Sequence, residues 1–390
     1  MRITFTRQEF LAALRWTGRA PAGGRGPMAG QVLIAAPQSG PRAEVAFTAH
    51  ADDATWWRHT AAARVFRPGG VTVEADLLRE IAAALPAAPL TLTVHAATVV
   101  LTAGAVRYAL PALPSREPYT PGADAPGACV VTVGTAAFAG AVSRVAPAAA
   151  TGERDGDLAV LGGVHLAARD DELRLQATNR YRLAIETIAC EAAGDSGLDA
   201  VAPARWMAAL AAGLPGELAR IHTDGRMLTV TSSHRACAAR LLAGGYLQVG
   251  QYVPEQATTR AETDRRELLA MLERAAFVHD PHNNPVVLDI GRDRIGMTAA
   301  DGGTGRLEDG VPAGVRGRKL VVGVNAALLK QAVLATPGQT VTLHFEGARN
   351  PLKVTGSGPE RVLHVLAPRQ PAPHQAATQE TGETEEPAAA

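Results

Sequence analysis

The sequence predicts an α+β fold in which one domain plan, two helices on one face of an antiparallel sheet, occurs three times along the chain. The first observation is a recurring stretch: one copy runs from Val71 to Pro86, a second ends at Leu214-Pro215, and a third runs from Val321 to Pro337. Each copy reads as a short strand, a helix with apolar residues at i, i+1, i+4 and i+8, and a proline that stops the helix. The copies lie about 120 to 130 residues apart, so the chain is predicted to contain three like domains.

The second observation is an alternating strand after each of these prolines, at Leu90–Val94, Leu218–His222 and Val341–Phe345. Near the start of each domain a helix is also predicted. Thr6 and Glu9 have the spacing of a capping box, in which two side chains satisfy free backbone N–H groups at the helix start. Thr135 and Asp264 stand at the corresponding points of the second and third repeats.

The third observation is a strand that closes on threonine after each first helix, at Val45–Thr48, Leu173–Thr178 and Arg294–Thr298. Each repeat therefore runs strand, helix, several strands, helix, several strands. This order indicates an α+β plan with two helices on one face of an antiparallel sheet.

Turn-forming residues place the domain boundaries. We predict domains at 1–122, 126–246 and 254–370, separated by a Pro- and Gly-rich linker at 118–127 and a second linker at 246–260. Residues 371–390 contain Pro, Gln, Thr, Glu and Ala without a large apolar residue. This composition predicts a disordered acidic tail.

Composition favours a cytoplasmic globular protein. Of 390 residues 47% are hydrophobic, and the formal net charge is zero, which excludes a strongly basic or strongly acidic coat. Cys129, Cys190 and Cys237 are far apart and odd in number, and are expected to be reduced. No signal peptide and no membrane-spanning run are predicted.

Three short motifs lack the pattern of a catalytic or ligand site. The segment 279–284, His-Asp-Pro-His-Asn-Asn, fits no zinc spacing and reads as a turn. Glycines at 302–305 lack a phosphate-loop register, and Ser232, Ser233 and His234 have no placed acid. No metal or cofactor is therefore expected. The competing class, an enzyme on an unfamiliar α+β repeat, has no candidate catalytic site in this sequence.

Beyond the triplication, the segments Ala177–Ala184, Gly23–Arg25 and Val365–Pro368 carry a family resemblance. Together with the repeat, they resemble the bacterial DNA sliding clamp, the β subunit of DNA polymerase III, over residues 1 to about 370. The resemblance implies three tandem clamp domains per chain, and a processivity factor with no catalytic site of its own.

The resemblance also implies an assembly: a head-to-tail homodimer whose six domains form a ring around duplex DNA. A domain of this size has a radius of gyration of ~14 Å, so six of them in a ring leave a hole of roughly 35 Å, wider than the duplex. The partners implied are sequence-independent duplex DNA, the DNA polymerase III alpha subunit and other proteins with a clamp-binding motif, and the clamp-loader ATPase complex.

Residues facing DNA follow from the same resemblance. Arg25 matches the family's residue in its Gly-Gly-Arg loop, and Arg205 lies beside a position where the family has a basic pair. The other candidates lie on helices expected to line the hole: Arg15, Arg79, Arg144, Arg266, Arg274 and Lys330. The alternative interpretation of each is an ordinary solvated helix cation. Glu74 and Asp76 stand where the family is basic, and would repel phosphate.

A second implied site is a pocket between the second and third domains, where the family captures a short peptide of its partners. The residues of this sequence at its positions are Leu161, Thr178, Arg180, Tyr181, Arg182, Leu183, Leu247, Gln251, Tyr252, Pro351, Val365, Leu366 and Pro368. An apolar floor with a few polar groups suits such an anchor site. The alternative for Leu161 and Leu183 is an ordinary place in the core.

The pocket departs from the family at several positions. Leu247 stands for a proline, Gln251 for a basic residue and Tyr252 for a small aliphatic one, while Arg180 stands where glycine is frequent. Two hypotheses follow: a main clamp with altered partner peptides, or a second, specialised clamp. Because cyclic-peptide antibiotics that target clamps occupy this pocket, the specialised clamp would confer resistance to them.

Overall fold

The computed structural model describes residues 1–20, 29–52, 54–114, 128–152, 156–192, 197–278, 286–300, 305–357 and 361–369. The chain divides into two compact units. The first contains Met1–Ala146, Arg154–Arg174 and Ile188–Gly244, and the second contains Pro147–Glu153, Leu175–Thr187 and Gly245–Ala390. The finer division into three domains stays a prediction. Arg25, the 118–127 linker, the segment 279–284 and the tail 371–390 lie outside the described residues.

The helices occur where the repeat predicts them. The described residues form six α-helices: α1 Arg7–Thr17, α2 Ala75–Ala84, α3 Thr135–Val145, α4 Ala204–Ala211, α5 Arg265–Ala275 and α6 Ala326–Ala335. Three short 3-10 turns occupy Ala146–Ala148, Gly156–Gly162 and Gly250–Tyr252. The second helix of each repeat ends two to four residues before its proline, at Pro86, Pro215 and Pro337. The six helices pack in sequential pairs, α1 with α2, α3 with α4 and α5 with α6.

Twenty-five strands account for most of the remaining described chain. In the first half they are β1 Arg2–Phe5, β2 Gln31–Ala36, β3 Gly40–His50, β4 Trp56–Arg67, β5 Gly69–Glu74, β6 Leu90–His95, β7 Thr98–Ala103, β8 Val106–Pro111, β9 Ala128–Gly134, β10 Gly163–Arg169, β11 Glu172–Thr178, β12 Arg182–Ala192 and β13 Asp199–Pro203. In the second half they are β14 Leu218–Thr223, β15 Met227–Ser232, β16 Arg235–Arg240, β17 Thr259–Asp264, β18 Val286–Ile290, β19 Arg294–Ala300, β20 Arg306–Pro312, β21 Gly314–Gly317, β22 Leu320–Val324, β23 Thr340–Phe345, β24 Leu352–Gly356 and β25 Val362–Leu366.

In the first unit the strands are joined by antiparallel pairing. One run of neighbours is β5–β2–β3–β4–β1–β6–β7–β8. The start of β4 also pairs with β16, which continues through β15 and β14 to β9. Strand β10 pairs with β13. The predicted antiparallel sheets are therefore present in this unit.

The second unit contains two antiparallel groups. Strand β17 pairs with β21 and β23, and β23 continues through β24 and β25 to the first half of β12. The other group is a four-stranded sheet in the order β20–β19–β18–β22. The last pairing to β12 matters for function, because it brings Leu183 opposite Val365.

Each unit buries a core between helices and sheet. In the first unit Phe5, Phe10 and Phe47 form a cluster with ring centroids 5.4 to 5.6 Å apart. In the second unit Leu268, Met271 and Leu272 of α5 and Leu329 of α6 are buried against the four-stranded sheet and β23. The repeat identifies some of the core-facing positions: Leu78 and Leu329, which match in the repeat, are both fully buried, but Leu77, the first apolar position of the same pattern, is 41% exposed.

The helix starts confirm two of the three expected caps. The Thr6 side chain accepts a hydrogen bond from the Glu9 backbone N–H at 3.2 Å, and Asp264 accepts from the N–H groups of Arg266 and Glu267 at 2.8 and 3.0 Å. The third expectation was wrong: Thr135 is the first helical residue of α3, and Gly134 is its N-cap without a side-chain bond. Thr135 is buried, so its hydroxyl lies in the packed interior instead of at an open helix end.

A buried histidine lies in the first unit where β4 pairs with β16. The rings of His59 and His234 are 4.6 Å apart, and Arg235 donates from Nε to Nδ1 of His59 at 3.4 Å. Arg235 also lies over the Trp16 ring at 5.2 Å. Burial, with the charges of His234 and Arg235, lowers the pKa of His59 to about 3, so this imidazole is neutral in the folded protein.

Because the pKa of His59 is depressed, we expect stability to fall on acidification. Below its ordinary pKa of 6.5 the unfolded chain binds a proton at His59 that the folded chain does not bind. Between pH 6.5 and 3 this residue should lower the free energy of unfolding by at most about 1.4 kcal/mol per pH unit. Urea denaturation at several pH values should show a shallower dependence for His59→Leu than for the parent chain. Equal slopes would mean that the folded imidazole is protonated normally.

Cys190 and Cys237 are free and buried, and burial raises the pKa of both thiols. Both thiols are therefore protonated at neutral pH. Within the described residues, no helix has the length and apolarity needed to cross a membrane.

Candidate partner pocket and charged helix faces

A small apolar pocket lies in the second unit. Its volume is about 280 Å³, and its lining comes from the β11–β12 hairpin, the segment before β17 and the C-terminal strand. The lining residues are Thr178, Arg180, Tyr181, Arg182, Leu183, Leu247, Val249, Tyr252, Pro351, Val365 and Ala367. Beneath it Leu183, Ile185, Val249 and Val365 form a separate buried cluster. The site has the form of an anchor pocket for one apolar side chain.

Local hydrogen bonds fix the hairpin at one side of the pocket. The Thr178 hydroxyl donates to the carbonyl oxygen of Arg182 at 2.6 Å, and Asn179 Oδ1 accepts from the backbone N–H groups of Tyr181 and Arg182 at 3.1 and 3.0 Å. Arg180 has a φ of 78°, in the left-handed region. Glycine enters that region most easily, which explains why glycine is suited to this position. The bonds of Thr178 and Asn179 hold arginine there.

The guanidinium of Arg182 is held by neutral groups. Nη1 donates to the amide oxygen of Gln331 on α6, and Nη2 donates to the carbonyl oxygen of Pro147. Its Nε is buried and has no acceptor among the described residues. Burial lowers the pKa of Arg182, but an arginine remains charged. A positive charge is therefore fixed at the pocket wall.

The segment before β17 carries two exposed side chains. Leu247 is 40% exposed and Tyr252, on the 3-10 turn, is 55% exposed. Both line the pocket. Gln251, between them on the turn, does not line it, because its exposed side chain bends back to donate to the carbonyl of Gln248 at 3.3 Å. The turn therefore presents its tyrosine, and not its glutamine, to a ligand.

The structure brings together nine of the thirteen residues predicted for the peptide pocket. The nine are Thr178, Arg180, Tyr181, Arg182, Leu183, Leu247, Tyr252, Pro351 and Val365. The four that do not line it are Gln251, Leu161, Leu366 and Pro368. Leu161 is fully buried in the first unit, and Leu366 is buried in the core of the second unit.

Two lining residues were missed by the sequence reasoning. Val249 lies between the predicted positions Leu247 and Gln251, and its burial reveals its place in the pocket. Ala367 could have been found, because side chains alternate along β25: Val365 and Ala367 point to the pocket side while Leu366 points to the core.

Each of the six helices carries at least one of the cations predicted to face DNA: Arg15 on α1, Arg79 on α2, Arg144 on α3, Arg205 on α4, Arg266 and Arg274 on α5, and Lys330 on α6. Arg15, Arg205 and Arg266 are exposed and form no ion pair within the described residues. Arg25 cannot be placed, since it lies outside those residues.

Three of the candidate cations are paired with acids. Arg79 pairs with Asp76 on the same helix, Lys330 with Glu273 at 3.1 Å, and Arg274 with Asp309 at 2.6 Å. Asp76, which the sequence suggested would repel phosphate, thus compensates Arg79, while Glu74 caps α2 through the N–H groups of Asp76 and Leu77. Paired cations offer less charge to phosphate, so the unpaired ones are the stronger candidates.

Two larger concavities have a different chemistry. One, of about 740 Å³ in the first unit, is lined by charges of both signs, including Arg19, Arg79, Asp76 and Glu80. The other, of about 540 Å³ in the second unit, is an open surface with Arg294, Glu308 and other charged groups. Charged side chains of both signs line each of them. The described residues also contain no group of three or more side chains suited to a metal ion.

Comparison with known proteins gives the same class for two successive segments of the chain. Residues 132–247 match the central domain, and residues 251–370 the C-terminal domain, of the DNA polymerase III beta subunit family. A beta sliding clamp of Synechococcus elongatus is 27% identical over 383 residues, 95% of this chain and 99% of that protein. A beta sliding clamp homolog of Streptomyces muensis, GriR, is 28% identical over 271 residues, 68% of this chain and 71% of that protein.

The fold agrees with these matches. A sliding clamp of Pseudomonas aeruginosa, solved bound to griselimycin, superposes with a TM-score of 0.84 at 18% identity, covering 95% of this chain and 99% of that one. The α+β repeats described above are thus the sliding-clamp fold. The chain belongs to the family of the DNA polymerase III beta subunit, whose members are sliding clamps, processivity factors without catalytic activity.

Proposed function

We propose that the protein is a sliding clamp that encircles duplex DNA as a head-to-tail homodimer. It would tether the DNA polymerase III alpha subunit and other partners through the pocket, after loading by the clamp-loader ATPase complex in the cytoplasm. The observation that carries the proposal is the presence of at least one cation on each of the six helices of a clamp fold. Sequence-independent contacts of this kind suit a protein that has to move along the duplex.

Open strand edges support the homodimer. Strand β8 pairs with β7 alone, and β20 pairs with β19 alone, among the described strands. Unpaired edges invite pairing with another chain. In a head-to-tail dimer β8 of one copy would meet β20 of the other, twice, so that both kinds of edge are covered.

Exposed apolar side chains near these edges fit the same contact. Phe277, just after α5, is 87% exposed, and Val106 and Tyr108 on β8 are also exposed. Aromatic side chains with this exposure are costly in water and are enriched at interfaces. We infer that they are covered by the second copy.

The cations make a specific prediction. If Arg205 and Arg266 contact phosphates, Arg205→Ala and Arg266→Ala should each reduce the slope of log K against log salt for duplex binding by about 0.9. The matched variants Arg79→Ala and Lys330→Ala should change it less, because Asp76 and Glu273 already compensate those charges. Thermal melting should stay nearly unchanged in all four. Equal effects in the two pairs would show that pairing does not decide which cations bind DNA.

A second candidate function is a specialised clamp that resists cyclic-peptide antibiotics. It is favoured by the two side chains that enter the pocket from the 246–252 segment, Leu247 and Tyr252. Both reduce the space for an apolar anchor. Because griselimycin binds the Pseudomonas aeruginosa clamp, a compound of this kind is a suitable probe. Weak binding of it, with retained binding of the protein's own partners, would support the specialised role.

A further inference from the structure

Arg182 is a half-buried cation in the pocket wall that has no counter-ion within the described residues. Arg182 donates to two neutral oxygens, those of Gln331 and Pro147, and forms no ion pair within the described residues. Its buried Nε–H has no acceptor there. A partly desolvated charge without a counter-ion is unfavourable, and an anion that reaches it is bound more strongly than in water.

The rest of the lining adds positive charge and no negative charge. Arg180, on the same hairpin, has no ion pair among the described residues, and none of the lining residues is aspartate or glutamate. The other polar groups are Thr178, Tyr181 and Tyr252, which are neutral. Tyr181 is 60% exposed beside the two arginines. The pocket is therefore apolar at its floor and cationic at one wall.

We propose that this pocket selects ligands that carry a carboxylate next to their apolar anchor, with Arg182 as the residue that recognises it. The inference rests on the proposed function, in which the pocket takes a partner peptide. The volume of about 280 Å³ accommodates an apolar anchor over Leu183 and Val365. The carboxylate then lies against the hairpin wall, where it accepts hydrogen bonds from Arg182 and balances its charge.

An arginine–carboxylate contact also has directional preference. Nη1 and Nη2 each keep one N–H beyond the one donated to Gln331 or Pro147, and a carboxylate can accept from these two; such charge-assisted bonds are roughly twice as strong as neutral ones. Because Gln331 and Pro147 hold the two terminal nitrogens, the group is pre-organised and little side-chain freedom is lost on binding. A neutral peptide of the same shape would leave Arg182 uncompensated.

The carboxylate could be a side chain or the free C-terminus of the partner. Three fluorescein-labelled hexapeptides distinguish the cases. The first contains Leu-Asp and has an amidated C-terminus, and the second is identical except that Leu-Asn replaces Leu-Asp. The third has Leu-Asn as its last two residues and ends in a free carboxylate. Fluorescence polarisation on the full-length protein gives their dissociation constants. We expect the Leu-Asp peptide to bind at least about tenfold more tightly than its amidated Leu-Asn counterpart. Tighter binding of the third peptide would identify the terminus as the recognised group.

Variants assign the preference to Arg182. In Arg182→Gln the ratio of the Asp and Asn constants should fall to near one, and in Arg182→Lys part of it should remain. Arg316→Gln removes an exposed cation on β21 outside the pocket and should leave the ratio unchanged. The ratio is insensitive to a loss of folded fraction, so a destabilised variant still gives an answer.

The outcomes separate the two claims. Equal binding of the Asp and Asn peptides would overturn the carboxylate preference and leave the pocket as a peptide site. A preference that persists in Arg182→Gln would overturn the role of this residue. If no peptide binds, the proposed partner pocket fails, and the preference fails with it.

Discussion

Replacing Phe277 with aspartate is expected to convert the proposed homodimer into a monomer. Phe277 is 87% exposed in one chain, and its burial against the second copy would contribute about 1.5–3 kcal/mol at each of two equivalent contacts. Aspartate removes this term and would also place a charge in the interface. The dissociation constant should therefore rise by about a hundredfold or more. Light scattering at micromolar concentration should give 40.5 kDa for the variant and twice that for the parent.

Leu218→Asp is the matched control for this experiment. Leu218 is 52% exposed at the start of β14, and nothing in the proposed contact involves that strand. It should leave the dimer intact. A Phe277→Asp protein that remains dimeric, or a Leu218→Asp protein that dissociates equally, would place the contact elsewhere.

The second large effect is expected in the pocket. Leu247→Pro with Tyr252→Val should strengthen the binding of a clamp-binding pentapeptide or of a cyclic antibiotic directed at this site. Tyr252 occupies space that a smaller residue would leave open, and one well-formed anchor contact is worth about 1–3 kcal/mol, roughly 5- to 150-fold in affinity. Calorimetry on the parent and the double variant measures the change.

Gln251→Arg tests how the turn directs its side chains. By resemblance, Gln251 stands where the family has a basic residue, as Leu247 and Tyr252 stand for other family residues. The Gln251 side chain donates a hydrogen bond to the Gln248 carbonyl and does not line the pocket, so the single variant should change affinity little.

The parent protein itself tests the specialised role. If it already binds these ligands with the affinity of an ordinary clamp, the specialised role loses its main support.

Periodicity predicted the helices and core well, because it reports directly on burial. Leu78 and Leu329 could be placed in the core from the repeat alone, and proline marked the end of each second helix. The sequence predicted the helix N-caps less reliably than the helices themselves. A threonine at the right spacing is an N-cap at Thr6, but at Thr135 it lies inside the helix, since tertiary packing buries it.

The site shows where sequence reasoning reached its limit. The i,i+3 pair of Asp76 and Arg79 could be inferred from helix geometry, but the pair of Glu273 and Lys330 joins two helices distant in sequence. The direction of Gln251 depends on a turn too short to leave a pattern. Phe277 continues the apolar run at the end of α5, so only the fold reveals that it is exposed.

Retention on DNA circles tests the central claim most directly. The protein is loaded by its clamp loader onto a nicked circular plasmid, free protein is removed at high salt, and the plasmid is then cut once with a restriction enzyme. A ring that holds DNA topologically stays on the circle in high salt, where charge contacts are weakened, and leaves through the new ends after cutting. We predict retention before the cut and loss after it. Equal retention on circular and linear DNA, or loss from the intact circle in high salt, would contradict the account.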